Sequence, residues 1–199
     1  MANPSITLEG KKYPMTQVTK TLLKIGKMWR KNARISLKMQ DKVNTGTLYN
    51  SIPVQVGSDS NGFFVNLTPK AHYWEYVDKG VQGASRNAFT RQSQSPFKFG
   101  SGKGGPGLRG AINKWVRSKG FQFQSREEGS KGQFMSYDST AFMVGQAVWH
   151  RGLKPTFFIS DTKKRIKHKA LKLLSKAIGK DYANALKLNL QLDKTIETK

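Results

Sequence analysis

Acidic residues are scarce in this 199-residue chain and cysteine is absent: 12 Asp and Glu stand against 35 Lys and Arg, and there is no Cys. The lack of cysteine excludes disulfides and thiolate metal sites, and it leaves the redox compartment open. Long hydrophobic runs are missing too. The longest, Ala141-Phe142-Met143-Val144, falls far short of the roughly 20 residues of a membrane span, and the first thirty residues hold no apolar signal core. The expectation is a soluble, unsecreted protein with no membrane partner. A hydrophobic content of 37% supports a modest core: one domain with arms or insertions. The scarcity of acid leaves a net charge of +23. A compact body with that charge repels itself, so a polyanion is the natural partner. Nucleic acid comes first and an anionic membrane surface second.

The cations fall into rows. No acid occurs between Glu9 and Asp41, or between Asp78 and Glu127. From about Thr16 to Met39, Val18, Leu22, Ile25, Trp29 and Ala33 repeat at helical spacing and form an apolar seam. Lys20, Lys24, Lys27, Lys31, Arg34 and Lys38 follow the same period on the opposite side. A second helix is predicted from about Ser160 to Leu190. Its apolar face holds Ile166, Ala170, Leu173, Leu174, Ala177, Ile178, Tyr182 and Ala185, and its other side carries Arg165, Lys169, Lys172, Lys176, Lys180 and Lys187. Gly179 is a place for a kink. The plain reading of such rows is a solvated face. Ordinary exposed helices mix signs and gain i,i+4 pairs, and these rows mostly forgo them, which favours a polyanion-facing role.

Residues 1–15 read as an arm and 191–199 as a polar tail. A turn at Asn44-Thr45-Gly46-Thr47-Leu48 precedes a single helical turn. Ser51 to Val56 and Phe63 to Leu67 are predicted strands of an antiparallel hairpin, the first at an edge because of Pro53. Insertions without periodicity lie at about 83–110 and 120–137. Ala111 to Lys119 is a short helix. Ser139 to His150 is another, capped by Asp138 or Ser139 and ended by Gly152. Thr156 to Ile159 reads as a short third strand. The fold class is therefore α+β: a small antiparallel sheet packed by a long N-terminal and a long C-terminal helix.

No catalytic, cofactor or metal site is expected. Gly100-Ser101-Gly102-Lys103-Gly104 departs from a phosphate-binding loop, since Phe97 stands where the first Gly belongs and Gly104 where Ser or Thr would hold magnesium. His72, His150 and His168 are far apart. Glu75 and Asp78 share a helical face but read as structural or interface charges ahead of an acid/base pair. Phe89, Arg91, Phe97, Lys98, Phe99 and Lys103 mix rings and cations in one long loop. Such a mixture suits either base stacking or docking to a neighbouring subunit.

Three segments, in order, resemble the tail-completion family of tailed phages, proteins of the neck between portal and tail. They are Asn44-Thr45-Gly46-Thr47-Leu48-Tyr49-Asn50-Ser51-Ile52, Tyr73-Trp74-Glu75-Tyr76-Val77-Asp78-Lys79-Gly80-Val81 and Gly152-Leu153-Lys154-Pro155-Thr156-Phe157-Phe158. The skeleton from about 16 to 190 is similar to that family. The 83–137 link is longer than usual, Val81 replaces the common Thr, and the charge is high. The resemblance implies a virion structural protein of the neck, made in the host cytoplasm. It implies a homo-oligomeric ring around the DNA channel, contacting portal or adaptor and tail proteins. Packaged double-stranded DNA is then a non-specific partner. Subunit contacts are expected at Tyr73, Trp74, Glu75, Tyr76, Asp78, Phe97 and Phe99. The polyanion-facing set is the first helix's row with Lys98, Lys103, Arg165, Lys169, Lys172 and Lys176. The competing readings are a non-specific nucleic-acid-binding module and, behind it, a phage-encoded nuclease.

Overall fold

The computed structural model describes residues 4–59, 62–85, 95–100 and 107–197, with side chains outside 107–109 and 191–197. The fold is α+β, with long N- and C-terminal helices and small antiparallel sheets of two strands. The chain forms two compact units. One comprises residues 1–39, 48–70 and 158–199, and the other 40–47 and 71–157.

The first unit is built on α1, Thr16–Met39. Its seam is buried as the spacing predicts: Val18, Leu22, Ile25, Trp29 and Ala33, extended by Gly26 and Leu37. The long helix α6, Ser160–Glu197, packs along it, with Met15, Val18, Leu22 and Ala177 forming one apolar cluster. The hairpin β3 (Gln55–Asp59) and β4 (Gly62–Asn66) adds Val56, Phe63 and Val65 to that cluster. Gly26 makes this approach possible: a Cβ there would lie 2.2 Å from Val54 Cγ1. Trp29 is anchored as well as buried, its indole N–H donating to Ile159 O (3.2 Å) and Thr162 Oγ1 (3.1 Å). The single helical turn α2, Thr47–Asn50, follows the Asn44-Thr45-Gly46 turn as expected.

Several boundaries differ from the sequence reading. The supposed N-terminal arm holds a hairpin, β1 (Ser5–Leu8) against β2 (Lys11–Pro14), with Ile6 packed on the core. The first strand of the central hairpin starts at Gln55, not Ser51. Pro53, lacking an N–H, lies outside the ladder. The supposed strand 156–159 is not one: Phe157 has φ +49°, outside strand geometry. α6 runs unbroken through Gly179 and continues to Glu197, so 191–197 is helix where a tail was expected.

The second unit joins α3 (Trp74–Lys79), β5 (Val81–Gln82), α4 (Gly107–Lys119), α5 (Tyr137–Arg151) and β6 (Gly152–Leu153). α4 and α5 pack through Ile112, Val116 and Ala141. The cap of α5 is Ser136, whose side chain accepts from the Ser139 N–H at 3.0 Å, in place of Asp138 or Ser139. Gly152 closes it as expected, with φ +83°.

Candidate nucleic-acid interface

α1 presents its cations away from its seam. Lys20, Lys24, Lys27, Lys31 and Lys38 are exposed. About one helical turn, roughly 5.4 Å along the axis, separates successive members from Lys20 to Lys31, and Lys38 follows two turns on. Arg34 differs: it is half-buried, its Nε donates to Tyr49 O at 2.9 Å, and its guanidinium lies 4.8 Å from the Tyr49 ring centroid. It ties α1 to α2 and is a strut, not a free surface cation. Lys38 Nζ sits 5.1 Å from the same ring.

Two acids of this unit, Asp181 and Glu9, are engaged away from the row. Asp181, from α6, is buried and accepts from the N–H groups of Gln17 (3.1 Å) and Val18 (2.8 Å). Its carboxylate thus caps the positive end of α1. Glu9 accepts from Asn189 Nδ2 at 3.0 Å, and Asn189 Oδ1 accepts from Tyr13. Among the described residues, the ion pairs are Lys79–Glu75, Arg117–Asp138 and Lys119–Asp41, and none involves a row cation. The Asp181 cap escaped the sequence reading. Its signal is a lone acid between the apolar positions Ile178 and Ala185, in a stretch otherwise rich in lysine.

On α6, Arg165, Lys169, Lys172, Lys176, Lys180 and Lys187 are all exposed. Lys98 is exposed in the second unit, and Lys103 lies outside the described residues, as do Phe89 and Arg91.

The expected subunit-contact residues gather in the second unit, partly as internal structure. Asp78 is buried, 1% exposed, so it is no surface contact. Tyr73, Trp74 and Glu75 are half-buried, and Glu75 pairs with Lys79 at 2.8 Å. Tyr76 is exposed and meets Phe97 at 4.5 Å between ring centroids, while Phe99 lies 5.6 Å from Trp149. Phe97 and Phe99 flank a bridge between Lys98 and Gln82, which makes the segment a partner of β5.

Two of the three segments that carry the family resemblance form one structure. Thr156 and Phe157 donate their N–H groups to Val77 O (3.1 Å) and Asp78 O (2.9 Å), and Val81 pairs with Leu153. Gly80, at φ +73°, has Leu153 O 2.5 Å from where a Cβ would stand. A side chain there is excluded by both conformation and space. The glycines and the proline of these segments therefore serve a tight backbone junction.

Among the described residues, no three His, Asp or Glu side chains are grouped to hold a metal ion, and no helix is long and apolar enough to cross a membrane. No protein-family model, no curated protein and no solved structure matches this chain.

Proposed function

We propose that this chain is a structural subunit of a tailed-phage neck, assembling into a ring around the DNA channel with the α1 lysine row turned toward packaged duplex DNA. The observation that carries the reading is that row: five exposed lysines at helical pitch, set opposite a fully buried seam, while two acids of the same unit, Asp181 and Glu9, are engaged elsewhere. A cation row without acids gains nothing for the fold, since the i,i+4 pairs that would stabilise the helix are forgone. It gains attraction to phosphate through counterion release, which needs no base readout. The junction of residues 73–81 with 152–158 supports the family likeness, because both segments act together as one backbone unit.

Two measurements test it. Imaging of intact particles is expected to place the chain as a ring at the head–tail joint, and its absence from particles overturns the neck reading. Replacing Lys20, Lys24, Lys27 and Lys31 together by Gln is expected to flatten the salt dependence of duplex binding. With about 0.9 counterions released per phosphate contact, the log–log slope falls by about 3.6. An unchanged slope removes the row from DNA. Thermal stability of the variant stays near wild type, because these side chains are exposed.

A further inference from the structure

α6 carries a second, apolar surface that the subunit leaves uncovered. Leu171 is 54% exposed, Tyr182 47%, Leu186 40% and Leu190 62%. At about 100° per residue, these four fall on one slowly drifting face, distinct from the face holding Ile166, Ala177 and Ala185, which are buried. Ser175 and Gly179 fill the remaining turns of the same path. Lys172, Lys176, Lys180 and Lys187 each follow a face residue by one position, so they line one edge of it.

Gly179 sharpens the case. Glycine in a helix interior weakens the helix relative to alanine. At Gly26 the fold explains it, with Val54 pressed against the backbone, but at Gly179 a Cβ would meet nothing within 4 Å. No contact inside the subunit requires the missing side chain. Flanked by Leu171 and Ser175 on one side and Tyr182 and Leu186 on the other, it leaves a notch in the ridge.

We infer that this face of α6 docks an acidic amphipathic helix of a different protein, its apolar side chains seated along Leu171, Tyr182, Leu186 and Leu190 and its carboxylates along the lysine edge. Charge selects this occupant. A second copy of the chain offers no acidic amphipathic helix: α1 and α4 contain no acid, α5 contains only Asp138, the six-residue α3 has Glu75 paired with Lys79 and Asp78 buried, and α6 is strongly basic, its four acids being Asp161, Asp193 and Glu197 near its ends and the buried Asp181. Pairing two α6 helices antiparallel sets lysine edge against lysine edge, and pairing them parallel brings no accessible carboxylate of the Leu171–Leu190 stretch to either edge. A lipid surface would be met best by a continuous bulky stripe, whereas the Ser175–Gly179 notch suits a helix that approaches closely. The inference does not need the neck reading, since it rests on α6 and not on the α1 row.

The test uses the full chain at physiological salt with four probes. Two are synthetic amphipathic helical peptides sharing one leucine seam, flanked by Glu in one and by Lys in the other. The third is a duplex DNA and the fourth a vesicle of phosphatidylserine and phosphatidylcholine. The Glu-flanked peptide is expected to bind at least tenfold more tightly than its Lys counterpart. Gly179→Leu, which fills the notch, is expected to weaken that binding at least tenfold and leave duplex binding unchanged. Gly179→Ala is expected to raise the melting temperature by about 2–4 °C, as the helix gains where no internal contact is lost. The α1 quadruple variant leaves peptide binding unchanged, so failure here and failure of the DNA reading are separable. Equal binding of the two peptides, no binding of the Glu-flanked one, insensitivity to Gly179→Leu, or its selective loss of vesicle or duplex binding each overturns the proposal.

Discussion

The two units of this chain handle positive charge in opposite ways. Residues 1–39, 48–70 and 158–199 carry 21 Lys and Arg against 6 Asp and Glu, and the remainder carries 14 against 6. In the second unit Asp78 is buried, but three of the six acids meet cations at the surface: Glu75 with Lys79, Asp138 with Arg117, Asp41 with Lys119. In the first, Asp181 is turned inward to cap α1 and Glu9 is bound by Asn189, so the lysines of α1 and α6 face outward without them. Acid used internally raises stability without pairing the surface lysines. Acid used externally pairs a surface cation and adds little stability. The more basic surface therefore belongs to the first unit, and the backbone junction of residues 73–81 with 152–157 belongs to the second.

The comparison predicts that the first unit depends on a few buried anchors. The largest effect is expected at Trp29, 4% exposed and hydrogen-bonded to Ile159 and Thr162. Trp29→Ala should cost about 3–5 kcal/mol in denaturant unfolding. A loss below about 1 kcal/mol, the size typical of surface sites, would refute its placement as an anchor. Next comes Asp181. Asp181→Ala leaves the N–H groups of Gln17 and Val18 without their acceptor, and a loss of about 2 kcal/mol is expected. Asp181→Asn keeps one acceptor oxygen and should fall between Ala and wild type. Equal stability of all three proteins would show that the inward acid does not support α1, and the contrast between the units would lose its physical basis.

How far the sequence could be read follows the same division. α1 is legible because one seam, Val18 to Ala33, repeats without interruption, and the lysine row opposite it is legible for the same reason. α6 is legible as a helix, but its polar burial is not. Thr162, Asp181 and Asn189 are buried, with partners at positions 29, 17, 18, 13 and 9, and no local pattern reports contacts so distant in sequence. The second unit is legible only in fragments. Thr156 to Ile159 has strand composition, yet Phe157 takes positive φ as the chain bonds back to Val77 and Asp78. Tertiary bonding overrides propensity there. Arg34 reads as one more row cation until Tyr49 is seen beneath it, since cation–π partners leave no periodic trace.

The exposed ion pair between α4 and α5 contributes far less than the buried anchors Trp29 and Asp181. Arg117 Nη2 lies 3.3 Å from Asp138 Oδ1, with side chains 53% and 69% exposed, and its guanidinium lies 5.2 Å from the Tyr137 ring centroid. These contacts span α4 and α5, the same helices held by Ile112, Val116 and Ala141. Water screens an exposed pair and two long side chains lose freedom in making it, so Arg117→Ala should change unfolding by no more than about 0.5 kcal/mol. A loss near 2 kcal/mol would mean that the ion pairs of the second unit hold its helices together. Surface pairing there would then be structural, and the lower net charge of that unit would follow from its folding needs.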